Sequence, residues 1–154
     1  MEHEMRRSDR QLPAEAAPAL LQRGEVCQLA MVDQGEPYLV TLNYGFREGT
    51  LYFHAARQGR KMDILSDGSR VCFTVVPRHE LLAAEKGCDY TMKYESVVGW
   101  GVVRFLRDPE EKRCALGIIM AQYAPGVFSF PEAAVAATAV FAVDIEKMTA
   151  KSNF

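Results

Sequence analysis

Tyr52-Phe-His-Ala-Ala-Arg-Gln-Gly-Arg-Lys-Met-Asp-Ile-Leu65 opens as a strand, turns through Gly59 and restarts as a helix expected from about Gln58 to Ser66. Arg57, Arg60 and Lys61 fall at or near the first turn of that helix. The amides of a helix N-terminus already carry partial positive charge, so acidic side chains usually gather there. Cations in that position make sense when an anion, most often a phosphate, sits between them and the free backbone N–H groups. His54 lies just upstream, where the strand delivers it to the same pocket. The plainer reading of the cluster, a solvated helix face, stays open at this level.

Around this segment the strand signals recur at short intervals. Val26–Val32 is apolar and ends at the turn-rich Asp33-Gln-Gly-Glu-Pro37. Tyr38–Tyr44 is rich in β-branched and aromatic residues, and the turn Arg47-Glu-Gly49 separates it from a strand at Thr50–Ala55. Arg70–Val76 returns as a strand after Asp67-Gly-Ser69, and Tyr94–Leu106 is a long one with Gly99 and Gly101 on one face. Trp100, between them, suits core or interface packing. Pro77 to Asp89 reads as a loop or a frayed helix, and Thr138–Ile145 as the last strand. Helices are expected at Pro13–Arg23, stopped by Gly24, and from Asp108 to about Tyr123. In the second, Asp is a good N-cap, Pro suits the first position, and Leu116, Ile119, Met120 and Tyr123 keep one apolar face. Roughly six strands, two or three helices and short links imply a mainly antiparallel barrel with helices outside it.

The chain has 154 residues, enough for one domain spanning 1–154, with residues 1–12 expected as a flexible tail. A formal net charge of −2 excludes a general nucleic-acid or anionic-membrane binder, so any anion site must be local. The charged start lacks a signal-peptide core and no apolar run is long enough to span a bilayer, which implies a cytoplasmic protein. Cys27, Cys72, Cys88 and Cys114 form no Cys-x-x-Cys pair and read as reduced thiols. His79-Glu80 starts like a zinc helix, but Ala83 stands where the second histidine belongs. No metal site is expected.

The order of these pieces resembles the pyridoxamine 5'-phosphate oxidase-like, FMN-binding split-barrel family, and within it the nitroimidazole-resistance branch. The matching segments are Pro37–Tyr44, Leu51–Ala56 with Gly59-Arg-Lys61 and Asp63-Ile-Leu65, then Tyr94–Gly101 and Asp108–Lys112; the basic opening Met5–Arg10 is also similar. The resemblance implies a mainly β, antiparallel, Greek-key-like split barrel and a homodimer with FMN at the subunit interface. It implies that Val40, Thr41, Leu42 and Asn43 line the flavin ring and that His54 and Ala55 meet it. Gly59, Arg60 and Lys61 would hold the phosphate, while Tyr94, Ser96 and Val97 approach from across the dimer. The vitamin-forming oxidases carry an Arg/His-type signature near the C-terminus that Glu146–Phe154 lacks, so pyridoxamine phosphate is not the expected substrate.

The expected function is therefore electron transfer from a reduced donor, over FMN, to a small aromatic or nitro-containing acceptor, with His54 positioning or protonating that acceptor. Two rivals use the same scaffold: a flavin binder without turnover, and a haem- or deazaflavin-binding protein. Haem would need an axial ligand, and the histidines able to serve are His54 and His79.

Overall fold

Seven antiparallel strands carry the fold in a computed structural model that describes residues 3–154. They are β1 (Cys27–Asp33), β2 (Glu36–Leu42), β3 (Gly45–Arg47), β4 (Thr50–Ala55), β5 (Arg70–Leu82), β6 (Thr91–Leu106) and β7 (Ala139–Ser152). Four helices accompany them: α1 (Ala16–Arg23), α2 (Arg60–Ile64), α3 (Pro109–Ala121) and α4 (Glu132–Ala137). No described helix is long and apolar enough to cross a membrane.

The strand order is β2-β1-β5-β6-β7-β4-β3, so β2 and β3 lie at opposite edges although only Asn43 and Tyr44 join them. Three Cα steps reach at most about 11 Å. Six inter-strand spacings would hold the edges of a flat sheet about 29 Å apart. The sheet must therefore curl until its edges approach. No pairing joins β2 to β3, and the barrel stays split along that seam. The antiparallel split-barrel expectation is met, and the non-sequential neighbours β1–β5 and β4–β7 supply its crossovers.

Local chemistry sets the hairpins. Gln34–Gly35 links β1 to β2 and Glu48–Gly49 links β3 to β4, each with both residues at positive φ. That is the backbone a two-residue hairpin requires, and it explains a glycine at the second position. Inside the curl, Leu29, Leu51, Phe53, Phe73, Val75, Val97 and Phe141 are buried, and the Phe53 and Phe141 rings stack at 5.1 Å.

Two stretches differ from expectation. Pro77–Leu82 continues β5 instead of forming a loop or frayed helix. Its register with β6 shifts between Val75 and Arg78, so Val76 and Pro77 bulge opposite Ser96. A bulge tolerates a residue with no N–H to donate, which admits Pro77 to a strand. β7 runs on to Ser152, and its register with β6 shifts at Trp100/Gly101, where Glu146 is the extra residue. There the two glycines serve close packing. A Cβ on Gly99 would lie 2.4 Å from the Phe73 ring, and one on Gly101 2.5 Å from the Asp144 carbonyl oxygen.

Of the expected tail, Met1 and Glu2 lie outside the described residues. Ser8–Arg10 forms one 3-10 turn, Gln11 bridges to Lys151, and the Leu12 N–H donates to the Ala150 carbonyl at 2.9 Å. α3 starts as expected: the Asp108 carboxylate accepts the Glu111 N–H at 3.1 Å, with Pro109 in the first turn. The helix presses onto β3, where a Cβ on Gly45 would meet the Ile118 backbone at 2.7 Å.

Candidate functional site

Along β4, Leu51, Phe53 and Ala55 face the core while Tyr52 and His54 face out. His54 pairs with Val140 of β7, which pairs in turn with Leu106 of β6. α3 begins just after Leu106 and covers this outer face, where Leu106, Ala115 and Val140 form a small core with Tyr52 and Leu116. His54 lies at the margin of that cover and is exposed.

The link from β4 to α2 turns on Gly59, whose φ of 130° and ψ of 168° belong to a region only glycine occupies readily. A Cβ there would meet nothing within 4 Å, so the requirement is conformational. The Gly59 carbonyl accepts the N–H groups of Met62 and Asp63 at 3.0 and 3.1 Å. α2 has five residues, shorter than the Gln58–Ser66 helix expected, because Leu65 turns to extended backbone and the Ser69 hydroxyl accepts the Ser66 N–H. So short a helix has little macrodipole, and the field at its start comes mainly from side chains and first-turn amides.

The three cations of the segment part company. Arg60 turns back onto the β1–β2 hairpin, with its guanidinium 4.2 Å from the Tyr38 ring centre and 3.6 Å from the Asp33 carboxylate. Lys61 is half-buried and Arg57 exposed, and neither has an ion-pair partner among the described residues. Met62 and Ile64 pack on the core margin, as Tyr38, Val40 and Leu42 do, and the Arg60 contacts tie α2 to the β1–β2 hairpin. Gly59–Lys61 thus lies by the β1–β2 hairpin at the Tyr38 end of β2, and His54 and Ala55 of β4 lead into the link that carries it.

β2 is an edge strand, paired only with β1. Val40 and Leu42 turn inward, Thr41 is exposed, and one edge of backbone N–H and C=O groups has no strand partner. Asn43 is held from behind: its Nδ2 donates to the Tyr123 Oη at 3.2 Å and to the Glu25 carbonyl at 3.5 Å. Tyr123 Oη also accepts the Tyr44 N–H at 2.9 Å and donates to the Glu25 carbonyl at 2.6 Å. Next to it, Gln122 Nε2 donates to the carbonyls of Leu21 and Gly24 at 2.8 and 2.6 Å. These two residues clamp the β2–β3 corner, and sequence reading assigned Tyr123 only to an apolar helix face. Their partners are mostly backbone groups about a hundred positions away, which leave no local signal.

The β6 group stands apart, separated from β2 by β1 and β5 and from β4 by β7. Ser96 is half-buried on the outward face, and Tyr94 is tied to Asn153 by its N–H at 2.7 Å, with Arg10 beside its ring. Val97 points into the core, fully buried, and its carbonyl accepts the Thr74 hydroxyl. Two clefts of about 410 and 620 Å³ open around α3, and none of the site residues expected from the sequence lines them. All four cysteines are free, and no cluster of three or more metal-ligating side chains occurs among the described residues.

The family described as pyridoxamine 5'-phosphate oxidase matches residues 13–152. Among solved structures, a candidate 5-nitroimidazole antibiotic resistance protein from Bacteroides thetaiotaomicron is 33% identical, with a TM-score of 0.80 over 92% of this chain and 85% of that one. The FAD- and heme-binding protein from Mycobacterium smegmatis (20% identity, TM-score 0.82, 94% and 74% covered) shares the fold. So does the flavocytochrome Anf3 from Azotobacter vinelandii (20% identity, TM-score 0.84, 99% and 73% covered). No curated protein shows a significant match. With nearly its whole length matched and its strands in the same arrangement, the chain belongs to the pyridoxamine 5'-phosphate oxidase family.

Proposed function

We propose that the protein is a homodimeric, cytoplasmic FMN-binding oxidoreductase that passes electrons from a reduced donor to a small aromatic or nitro-containing acceptor. The observation that carries this reading is the Arg60 contact with Tyr38, which ties the cationic turn to the open-edged strand β2. Val40–Leu42 of β2 and Asn43 just after it offer apolar side chains and unpaired backbone groups, and Gly59–Lys61 offers first-turn amides and a free ammonium. That donor set fits a phosphate monoester beside a flat, largely apolar ring. The nitroimidazole-resistance relative supports the acceptor class.

The flavin supplies reversible electron and hydride acceptance, and the protein's residues bind, orient and screen. Lys61 neutralises the phosphate through a charge-assisted hydrogen bond, and Gly59 gives the backbone its close approach. Arg60 acts from its stack on Tyr38 and adds positive potential rather than the primary contact. The β2 edge fixes the ring plane, with the Tyr123 clamp holding Asn43 and Tyr44 in place. His54, exposed at the end of β4, is placed to deliver a proton to the acceptor.

A second copy would close the site. Leu39, Ala30, Cys72 and Trp100 form one outward row across β2, β1, β5 and β6, and Leu39 is 60% exposed. Ser96 and Tyr94 lie on the same strand as Trp100 and would reach the flavin of the partner.

The test is anaerobic mixing of the FMN-loaded protein with NADH or NADPH, followed by a nitroaromatic acceptor. Bleaching of the flavin and its recovery on adding acceptor support turnover, and His54→Ala should keep the flavin while slowing recovery. Flavin that no nicotinamide donor reduces would leave a binder without this activity.

A further inference from the structure

Lys112 and Arg57 lie in the region where β4 ends and α3 begins, and neither forms an ion pair among the described residues. Lys112 is 8% exposed, the one charged residue counted among the buried ones, yet it forms no described ion pair. Of its acidic neighbours, Glu110 pairs with Arg113 at 2.7 Å, the Asp108 carboxylate caps the Glu111 N–H, and the Glu111 carboxylate forms no described ion pair with it. Burial, and then the nearby Arg57 guanidinium, lower the pKa of the ammonium. No described buried side-chain nitrogen lacks a partner, so the stem of Lys112 is covered while its head remains open to solvent.

The topology explains the meeting. Leu106, Val140 and His54 form one row across β6, β7 and β4, and α3 starts directly after Leu106. Tyr52 and Leu116 both pack against the cluster of Leu106, Ala115 and Val140, which places α3 over β4. His54 is the next outward residue after Tyr52, and Lys112 is one helical turn before Leu116. Lys112 therefore lies over the His54 end of β4, where the chain passes into Arg57. Two neighbouring like charges oppose each other even where solvent screens them, and an anion between them would turn that repulsion into attraction.

We propose that Lys112 and Arg57 form an oxyanion site beside His54 that takes a phosphate monoester or a carboxylate. The site does not depend on flavin binding; only the choice of occupant rests on the proposed function. The occupant is either the flavin phosphate, shared with Lys61, or an anionic group on the acceptor.

Lys112→Met keeps the apolar stem and removes the charge, Lys112→Arg restores the charge, and Arg57→Gln changes an exposed residue that leaves packing intact. Binding of inorganic phosphate to the full chain is measured by titration calorimetry at matched ionic strength. The wild type should bind it, Lys112→Met and Arg57→Gln should each weaken it about tenfold, and Lys112→Arg should recover most of the loss. FMN and riboflavin titrations then assign the occupant. A loss of about tenfold for FMN alone names the flavin phosphate. Unchanged FMN affinity, with phosphate no longer binding the FMN-loaded variant, names the acceptor. Phosphate binding that depends on Lys112 in a protein that takes no flavin would uphold the site and overturn the flavin reading. Equal phosphate affinity in the wild type and both charge-removing variants, absence of phosphate binding in the wild type, or no recovery by Lys112→Arg would overturn the site.

Discussion

Arg60 stacks its guanidinium on the ring of Tyr38, 4.2 Å from the ring centre, and so ties α2 to the start of β2. The contact splits a basic cluster that reads as one unit in the sequence. Lys61 keeps a free ammonium, whereas Arg60 is already shared with Tyr38 and Asp33. Lys61→Ala should therefore weaken FMN about 10–100-fold and leave riboflavin almost unchanged, the loss expected for one charge-assisted hydrogen bond. Arg60→Ala should weaken both ligands by similar, smaller factors, because it loosens the seat of α2. Flavin fluorescence titrations of the two variants separate the roles, and equal losses of FMN and riboflavin in Lys61→Ala would refute a phosphate contact there.

The Tyr123 hydroxyl serves the Tyr44 N–H, the Asn43 side chain and the Glu25 carbonyl together. Tyr123→Phe should cost about 1–2 kcal/mol, at the low end for several lost hydrogen bonds because the ring is partly exposed. Denaturant unfolding would show this as a lower midpoint with an unchanged slope. A variant as stable as the wild type would mean that the clamp does not hold the corner.

Glycine positions give opposite signs. Gly101→Ala drives a methyl group against the Asp144 carbonyl and should destabilise by about 1–3 kcal/mol or more. Gly117→Ala, in α3 with open space around its Cβ position, should stabilise by up to about 1 kcal/mol. Thermal melts of the pair check both, and the same sign for the two would contradict the packing described.

Burial pushes the Cys27 thiol up to about 12, and burial also raises the Tyr44 hydroxyl, which donates to the Leu21 carbonyl. A group raised in the folded state contributes stability that is present below its unfolded pKa and is lost as pH rises toward the folded value. Unfolding free energy should therefore fall from about pH 9 upward, and Cys27→Ala should flatten the part of that fall due to the thiol. In the native protein at pH 8, a thiol reagent should modify exposed Cys88 and Cys114 quickly and Cys27 only on unfolding. Fast modification of Cys27 would contradict its place in the core.

Elements whose signals are local could be read from the chain: the Asp108–Pro109 helix start, the glycine hairpins and the alternating strands that meet in the core. The extensions of β5 and β7 could not, because their outer halves are largely polar and exposed and are ordered by pairing on either side of β6 rather than by burial. The arm from His79 to Leu82 pairs only with Thr91–Tyr94 and leaves Leu81 and Met92 exposed, so its composition resembles a loop. Around the candidate site, the strand that begins at Tyr38 and the Gly59 turn were legible because each rests on a short local pattern, whereas the edge position of β2 depends on the strand order. The division between Arg60 and Lys61 depends on Tyr38 and Asp33, two strands away in the chain. Lys112 next to Arg57 depends on where α3 lands. Neither relation has a sequence period.

The most direct measurement is the visible absorption spectrum of the freshly purified protein before and after adding FMN. Bands of protein-bound oxidised flavin are expected, retained through gel filtration and released on denaturation. A protein that stays colourless after FMN is added and removed would contradict that expectation, and a Soret-type band in its place would move the scaffold to haem.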